Sequence, residues 1–290
     1  FYLNISFSQS VVISDIKDSS IICDYLIVSP DSFLGHSRTL AEFRNNHRSD
    51  DVKHARIVRL EDIYTGFSIS DSTTNSEKIW FGLKWIYENW QKPFTYLLLI
   101  GDDEVITDIK DTSVKCTGTL PSFVWESRIP PGSNEIQFNY SDDIYTLLKK
   151  SSPILKERSM INYINAYNLP IYIGRIPCET REHLQIYVDK VIDFETRASY
   201  GNWRNTVILI ADDDMHKGEF DYLKHWKSCE LIGEKFLSGY FTKKCYLMAF
   251  EKDSSESHIG YHTKARDYFI NTVNNGALWS VYFGHGSHNN

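Results

Sequence analysis

Nothing in this chain marks it for a membrane, a nucleotide or a nucleic acid. No run of 18 apolar residues occurs, so no membrane-spanning helix is expected. Neither G-x-G-x-x-G nor G-x-x-x-x-G-K-[ST] is present, which removes the motif support for a nucleotide fold. H-E-x-x-H is missing too. His285 and His288 are near each other, but no comparable zinc-ligand set joins them. Basic residues are outnumbered, 31 Lys and Arg against 38 Asp and Glu, a net charge of −7. That balance implies no basic face for nucleic acid. Cysteine is sparse: Cys23, Cys116, Cys178, Cys229 and Cys245. No pair forms C-x-x-C, and an odd number at wide spacing does not suit a disulfide framework, so they read as buried or incidental thiols. Phe1 stands where an initiator Met would, and no signal peptide is visible. A processed or excised piece is therefore expected.

What is present is core and pattern. Hydrophobic residues make up 42% of the 290, and aromatics reach 14% with 7 Trp and 18 Tyr. That suits extended packing, or a surface that grips peptides or glycans. Residues 1–22 read as a strand-like lead-in or the end of a preceding domain. From Cys23 the pattern becomes regular. Tyr25-Leu26-Ile27-Val28 is a buried strand closed by Ser-Pro-Asp, residues 33–47 are helical, and residues 55–60 form a second strand. Thr74-Asn75-Ser76-Glu77 is a capping box. Behind it Ile79, Leu83, Ile86 and Trp90 recur at helical spacing. Tyr96 to Ile100 and Ile171 to Pro177 are further strands, and Thr180 caps the next helix.

A break at Tyr200-Gly201-Asn202-Trp203 precedes a second series. It predicts a strand over 207–210, a helix near 220–237, a strand over 245–250, a helix carrying Ala265, Phe269 and Val273, and a last strand running into His285. Strands alternating with helices imply a mostly parallel sheet covered on both faces. The expected organisation is a lead-in over 1–22, a first α/β subdomain over 23–199 and a second over 200–290, the two side by side.

The residues that could carry chemistry sit at predicted strand ends. Gly284-His285-Gly286 places an imidazole at a sheet's carboxyl edge, where sites of open α/β sheets lie. His285 is a candidate general base, and the Gly286 N–H is a candidate oxyanion donor. Three acidic clusters lie beside strand ends: Asp102-Asp103-Glu104, Asp142-Asp143 and Asp212-Asp213-Asp214. Such carboxylates can bind Ca²⁺ or Mg²⁺, orient a histidine or accept a basic substrate side chain. They can equally cap helices or sit in solvated turns.

In order, Tyr25-Leu-Ile-Val-Ser-Pro-Asp-Ser-Phe33, Leu60-Glu-Asp-Ile-Tyr64, Tyr96-Leu-Leu-Leu-Ile-Gly-Asp102, Ser141-Asp-Asp-Ile-Tyr145, Tyr172-Ile-Gly-Arg-Ile-Pro177 with Val188-Asp-Lys190, Asn202-Trp-Arg-Asn205, Ile208-Leu-Ile-Ala-Asp-Asp213 and Gly276 to Ser287 resemble the gingipain family of cysteine peptidases, clan mates of caspases and legumains. The resemblance covers residues 23–287. It implies a caspase-like three-layer α/β/α fold, the second subdomain incomplete, and a secreted or cell-surface cysteine endopeptidase acting on protein or peptide substrates. It further implies a Cys–His dyad with His285 as the histidine, the oxyanion donor at Gly286, and Asp142 as the acid supporting the histidine. No cofactor is required for the chemistry, and Ca²⁺ enters as a structural ion.

Two departures from the family pattern stand out. All five cysteines precede His285, so the nucleophile is expected in the remaining carboxyl-terminal part of the same protein, and the isolated chain is expected to be inactive. Residues 162–170, Asn162 to Pro170, carry no acid, so a preference for Arg or Lys substrates through that segment is not expected. A sortase-like relative that processes carboxyl-terminal signals, and a non-catalytic scaffold binding peptide or glycan through its aromatic surface, are the alternative readings.

Overall fold

The computed structural model describes residues 10–47, 52–67, 70, 73–103, 105–106, 115–116, 120–128, 136–149, 171–213, 215–216, 219–220, 224–253 and 262–285. The chain divides into two compact units, Phe1–Arg197 and Ala198–Asn290.

The first unit contains β1 (Tyr25–Ser29), β2 (Ala55–Arg59), β3 (Tyr96–Ile100), the antiparallel hairpin β4 (Phe123–Arg128) and β5 (Ile136–Ser141), and β6 (Tyr172–Ile176). The parallel sheet has the order β2-β1-β3-β6. Its helices are α1 (Leu34–Asn46), α2 (Leu60–Gly66), α3 (Asn75–Asn89) and α4 (Arg181–Arg197). Side chains on a strand alternate between faces, and two cores result. Leu26, Val28, Leu97 and Leu99 pack with Ile63 of α2 and Ile79, Trp80, Leu83 and Ile86 of α3. Ile27, Ile57, Leu98 and Ile100 pack with Leu40 and Ala41 of α1 and Leu184 and Val188 of α4. Burying each such large side chain contributes about 1.5–3 kcal/mol. The runs are apolar throughout because both faces of the sheet are covered.

Local signals placed several boundaries. Thr74 Oγ1 accepts from the Glu77 N–H at 3.3 Å, and Glu77 Oε2 accepts from the Thr74 N–H at 2.8 Å, completing the expected capping box. Thr180 Oγ1 likewise accepts from the His183 N–H at 3.2 Å. The lead-in joins this unit: Ile13, Ile16 and Ile21 enter the first core, and the Ile57 N–H donates to the Val11 carbonyl at 2.8 Å. On β6, Arg175 rivets the unit. Its Nε and a terminal nitrogen hold Asp142 at 2.8 and 2.6 Å. The other nitrogen donates to the carbonyls of Gly101 at 2.9 Å and Leu120 at 2.8 Å. The Gly-Arg-Ile-Pro strand and the Ser-Asp segment are thus two halves of one structural contact.

The second unit has β7 (Thr206–Ala211), α5 (His225–Phe236), β8 (Phe241–Tyr246), α6 (Thr263–Asn274) and β9 (Trp279–Phe283). The strands are parallel in the order β8-β7-β9. Val207, Leu209 and Ala211 pack toward Cys229 and Leu237, while Ile208 and Cys245 pack toward Ala265 and Phe269. One expectation is corrected here. The strand read at 245–250 starts at Phe241, and residues 247–249 form a 3₁₀ turn. Lys243 and Lys244 hid its start, because on an outer strand these positions are not buried.

Candidate active site

β7 is the middle strand of the second sheet, and β9 lies beside it with Phe283 in register with Ala211. The residues following each strand therefore emerge together at the carboxyl edge. The Asp212 N–H donates to the Phe283 carbonyl at 2.9 Å, which extends the pairing one step beyond the strand. The chain then passes through Gly284 to His285. Asp212 Oδ2 accepts from the His285 backbone N–H at 3.1 Å and lies 2.8 Å from His285 Nδ1. Asp212 Oδ1 accepts from the Asp213 N–H at 2.8 Å. Burial alone pushes the Asp212 carboxyl up, but the His285 side chain and the His285 and Asp213 N–H groups outweigh it and hold the acid below its ordinary value. A carboxylate on Nδ1 favours the tautomer protonated there, which leaves the lone pair at Nε2, the arrangement a general base needs.

Gly284 is required by close approach. A Cβ there would lie 2.5 Å from the Asp212 Cβ and would also run into the Tyr282 hydroxyl. The Asp212 Cβ sits on its own backbone, so it cannot swing away. The Tyr282 hydroxyl donates to the His285 carbonyl at 2.8 Å and pins the turn from the other side. Burial, and then the Asp212 charge, push the Tyr282 phenol up, so it stays a donor. His225, the first residue of α5 and 7% exposed, sets its ring edge-to-face with that of His285, centroids 4.9 Å apart.

The site residues expected from the sequence fare differently. His285 stands at the strand-end position foreseen for it. Asp142, assigned to support the histidine, is instead committed to Arg175 and to the Ser122 hydroxyl at 2.8 Å. The carboxylate on the histidine is Asp212. It belongs to one of the three acidic clusters, and its signal was a strand end in the same α/β series as His285. His225 went unnoticed. Its only sequence signal is its place at the start of the helix after β7, four residues before Cys229. Gly286, His288, Glu104, Asp214 and residues 162–170 lie outside the described residues.

Asp213, next to Asp212, pairs with Lys252 at 2.7 Å and faces His262 Nε2 at 3.8 Å. Among the described residues no group of three or more His, Cys, Asp or Glu could hold a metal ion. Among them, too, no helix is long and apolar enough to cross a membrane. Cys23, Cys178, Cys229 and Cys245 are free and buried. Burial raises each thiol, Cys178 to about 11 and Cys23 further, with Cys229 and Cys245 also above their ordinary value. Such thiols stay protonated and are poor nucleophiles.

Comparison with known proteins speaks to the family and the fold. The sequence model of peptidase family C25 matches residues 18–290. The crystal structure of the Arg-specific cysteine proteinase gingipain R aligns at 21% identity over 96% of this chain and 49% of that one, with a TM-score of 0.52. The complex of the pro- and mature domains of RgpB from Porphyromonas gingivalis aligns at 20% identity over 91% of this chain and 48% of that one, with a TM-score of 0.53. This chain therefore spans about half the length of either solved chain. At these identities the likeness speaks to the fold. No curated protein matches. With a match over nearly all of its length and a caspase-like α/β fold, the chain belongs to peptidase family C25, the gingipain family of cysteine peptidases.

Proposed function

We propose that this chain is the histidine-bearing part of a cysteine endopeptidase, with His285 as the base and Asp212 as the residue that orients it. The observation that carries the reading is the 2.8 Å contact between Asp212 Oδ2 and His285 Nδ1 at the carboxyl edge of a parallel sheet. His285 Nε2 takes the proton of a thiol, and the thiolate attacks the scissile carbonyl. The imidazolium then returns the proton to the leaving amine as the carbon–nitrogen bond breaks. Water hydrolyses the acyl-enzyme with His285 as base again. Asp212 stabilises the imidazolium in between. The oxyanion donor in this scheme is the Gly286 N–H.

The thiol comes from the remaining carboxyl-terminal part of the same protein. Cys23, Cys178, Cys229 and Cys245 are buried, and burial raises their thiols. Supporting this, among the described residues β9 is an outer strand of its sheet, and Trp279 and Tyr282 are 64% and 53% exposed. An outer strand presents unpaired backbone N–H and C=O groups along its edge, so a further strand fits beside β9. The isolated chain is then inactive, and the whole protein is secreted or held at the cell surface, with protein or peptide substrates.

A thiol-reactive peptide probe tests the reading, applied to this chain and to a form extended by about a hundred residues, a length within the domain range. Labelling is expected only in the extended form, and it should depend on His285. Labelling of the short chain at any of its own five cysteines would sink the assignment.

A further inference from the structure

We propose that His225 is a positioning residue for His285: its ring forms the wall that holds the imidazole in the plane where Asp212 can grip it. The inference rests on the reading of His285 as the base, and goes beyond it by naming a second histidine that touches neither thiol nor substrate. Asp212 holds one edge of the His285 ring, at Nδ1. That contact holds the ring at one edge, and the rest of its plane is set by what packs against its faces. The His225 ring stands edge-to-face against it at 4.9 Å, with an angle of 80° between the planes, an arrangement aromatic rings favour.

His225 is itself rigidly placed. Cys229 lies one helical turn further along α5, and its Sγ donates to the Ile210 carbonyl at 3.3 Å. Ile210 lies on β7, two residues before Asp212. This bond ties α5 to the strand that delivers Asp212, and His225 stands one turn earlier on the helix, nearer the strand ends. The chain enters α5 through Lys224 at φ 43°, a left-handed conformation that non-glycine residues rarely adopt. Such strain persists only where the surroundings over-determine it. The helix start is therefore held at this spot by its packing.

The test is ¹⁵N and ¹H spectroscopy of the imidazoles in this chain, labelled at histidine. In the wild type, His285 is expected as a single form protonated at Nδ1, with a through-space contact between the ring hydrogens of His225 and His285. His225→Phe keeps a flat ring and should retain that single form. His225→Leu keeps the bulk but not the flat ring, and should give a mixed or broadened His285 pattern, with at least a tenfold faster exchange of the Nδ1 proton. An unchanged pattern in His225→Leu, or a disturbed one in His225→Phe, overturns the proposal. If His225→Leu does not fold, the wild-type ring contact decides, and its absence overturns the proposal equally. Probe labelling of the extended form that ignores His285 would defeat the peptidase reading while leaving this ring-positioning result standing, so the two failures are distinguishable.

Discussion

Asp212 and His285 are separated by 73 positions in the chain and meet at 2.8 Å, with Asp212 Oδ2 receiving both the ring Nδ1 and the backbone N–H of His285. Each acceptance fixes a different degree of freedom. The backbone contact sets where the chain turns after β9, and the ring contact sets how the imidazole faces. The side chains are 18% and 32% exposed, sheltered enough for the pairing to hold and open enough for His285 to be reached.

Asp212→Asn should therefore separate orientation from folding. An amide can present its NH₂ to Nδ1 and so favour the opposite tautomer. In this chain, His285 should change from one form protonated at Nδ1 to a mixture, read by imidazole ¹⁵N shifts. In the extended peptidase the rate should fall by about 10²–10⁴, the range of a misplaced general base. Undiminished activity would remove Asp212 from the mechanism.

Gly284→Ala should be out of proportion to its single methyl group. The new Cβ would press on the Asp212 Cβ and the Tyr282 hydroxyl. Overpacking of this kind costs about 1–3 kcal/mol. The Asp212–His285 contact should be lost even where the protein stays folded. Thermal unfolding together with the His285 imidazole pattern checks both parts.

Acid should weaken the protein through Asp24 and Asp212. Asp24 is 2% exposed and is held by Lys92, by the N–H groups of Lys53 and His54, and by the His54 ring. Burial raises its carboxyl, but these partners outweigh burial and leave it below its ordinary value. A carboxyl lowered on folding takes up protons more readily when unfolded. Its stabilisation is present above the unfolded value of about 3.9 and is lost as pH falls through the lower folded value. Urea unfolding from pH 7 to pH 3 should show stability dropping below about pH 4. Asp24→Asn should be weaker by about 1–3 kcal/mol at pH 7 and should converge on the wild type in acid. Parallel curves would rule Asp24 out as a cause.

Arg175 should matter for stability rather than for the base. Its guanidinium holds Asp142 through two nitrogens and binds the Gly101 and Leu120 carbonyls. Arg175→Ala leaves Asp142 without its cation and should cost about 3–5 kcal/mol. Arg175→Lys keeps the charge but not the planar fork and should recover less than half of that loss. The His285 imidazole pattern should be unchanged in both. Denaturant unfolding and the same spectra decide, and a loss in Arg175→Ala below about 1 kcal/mol would show the rivet to be unimportant.

The legible parts of the sequence were those whose cause is local. Tyr25 to Val28 and Tyr96 to Ile100 read as strands because strands buried on both faces must be apolar throughout. Thr74 with Glu77 read as a helix start because the two groups satisfy each other within one turn. β8 was misplaced because an outer strand tolerates Lys243 and Lys244, and its pattern looks like a loop. The β4–β5 hairpin went unread although Pro130-Pro131-Gly132 between its strands is a turn signal, because the short run before it, Phe123 to Arg128, lacks a clear apolar alternation.

The sequence by itself determined an α/β chain of strands and helices in alternation, and a glycine-flanked histidine at the tip of its last strand, since both follow from composition and spacing along a few residues. Only the tertiary structure decided which acid serves that histidine. Asp102, Asp142 and Asp212 are chemically alike and each follows or adjoins a strand. Strand order separates them: β7 lies beside β9, so Asp212 reaches His285, while Asp142 meets Arg175 and is neutralised there. Pairing across 73 positions depends on which strands share hydrogen bonds, and no local run of residues encodes that neighbourhood.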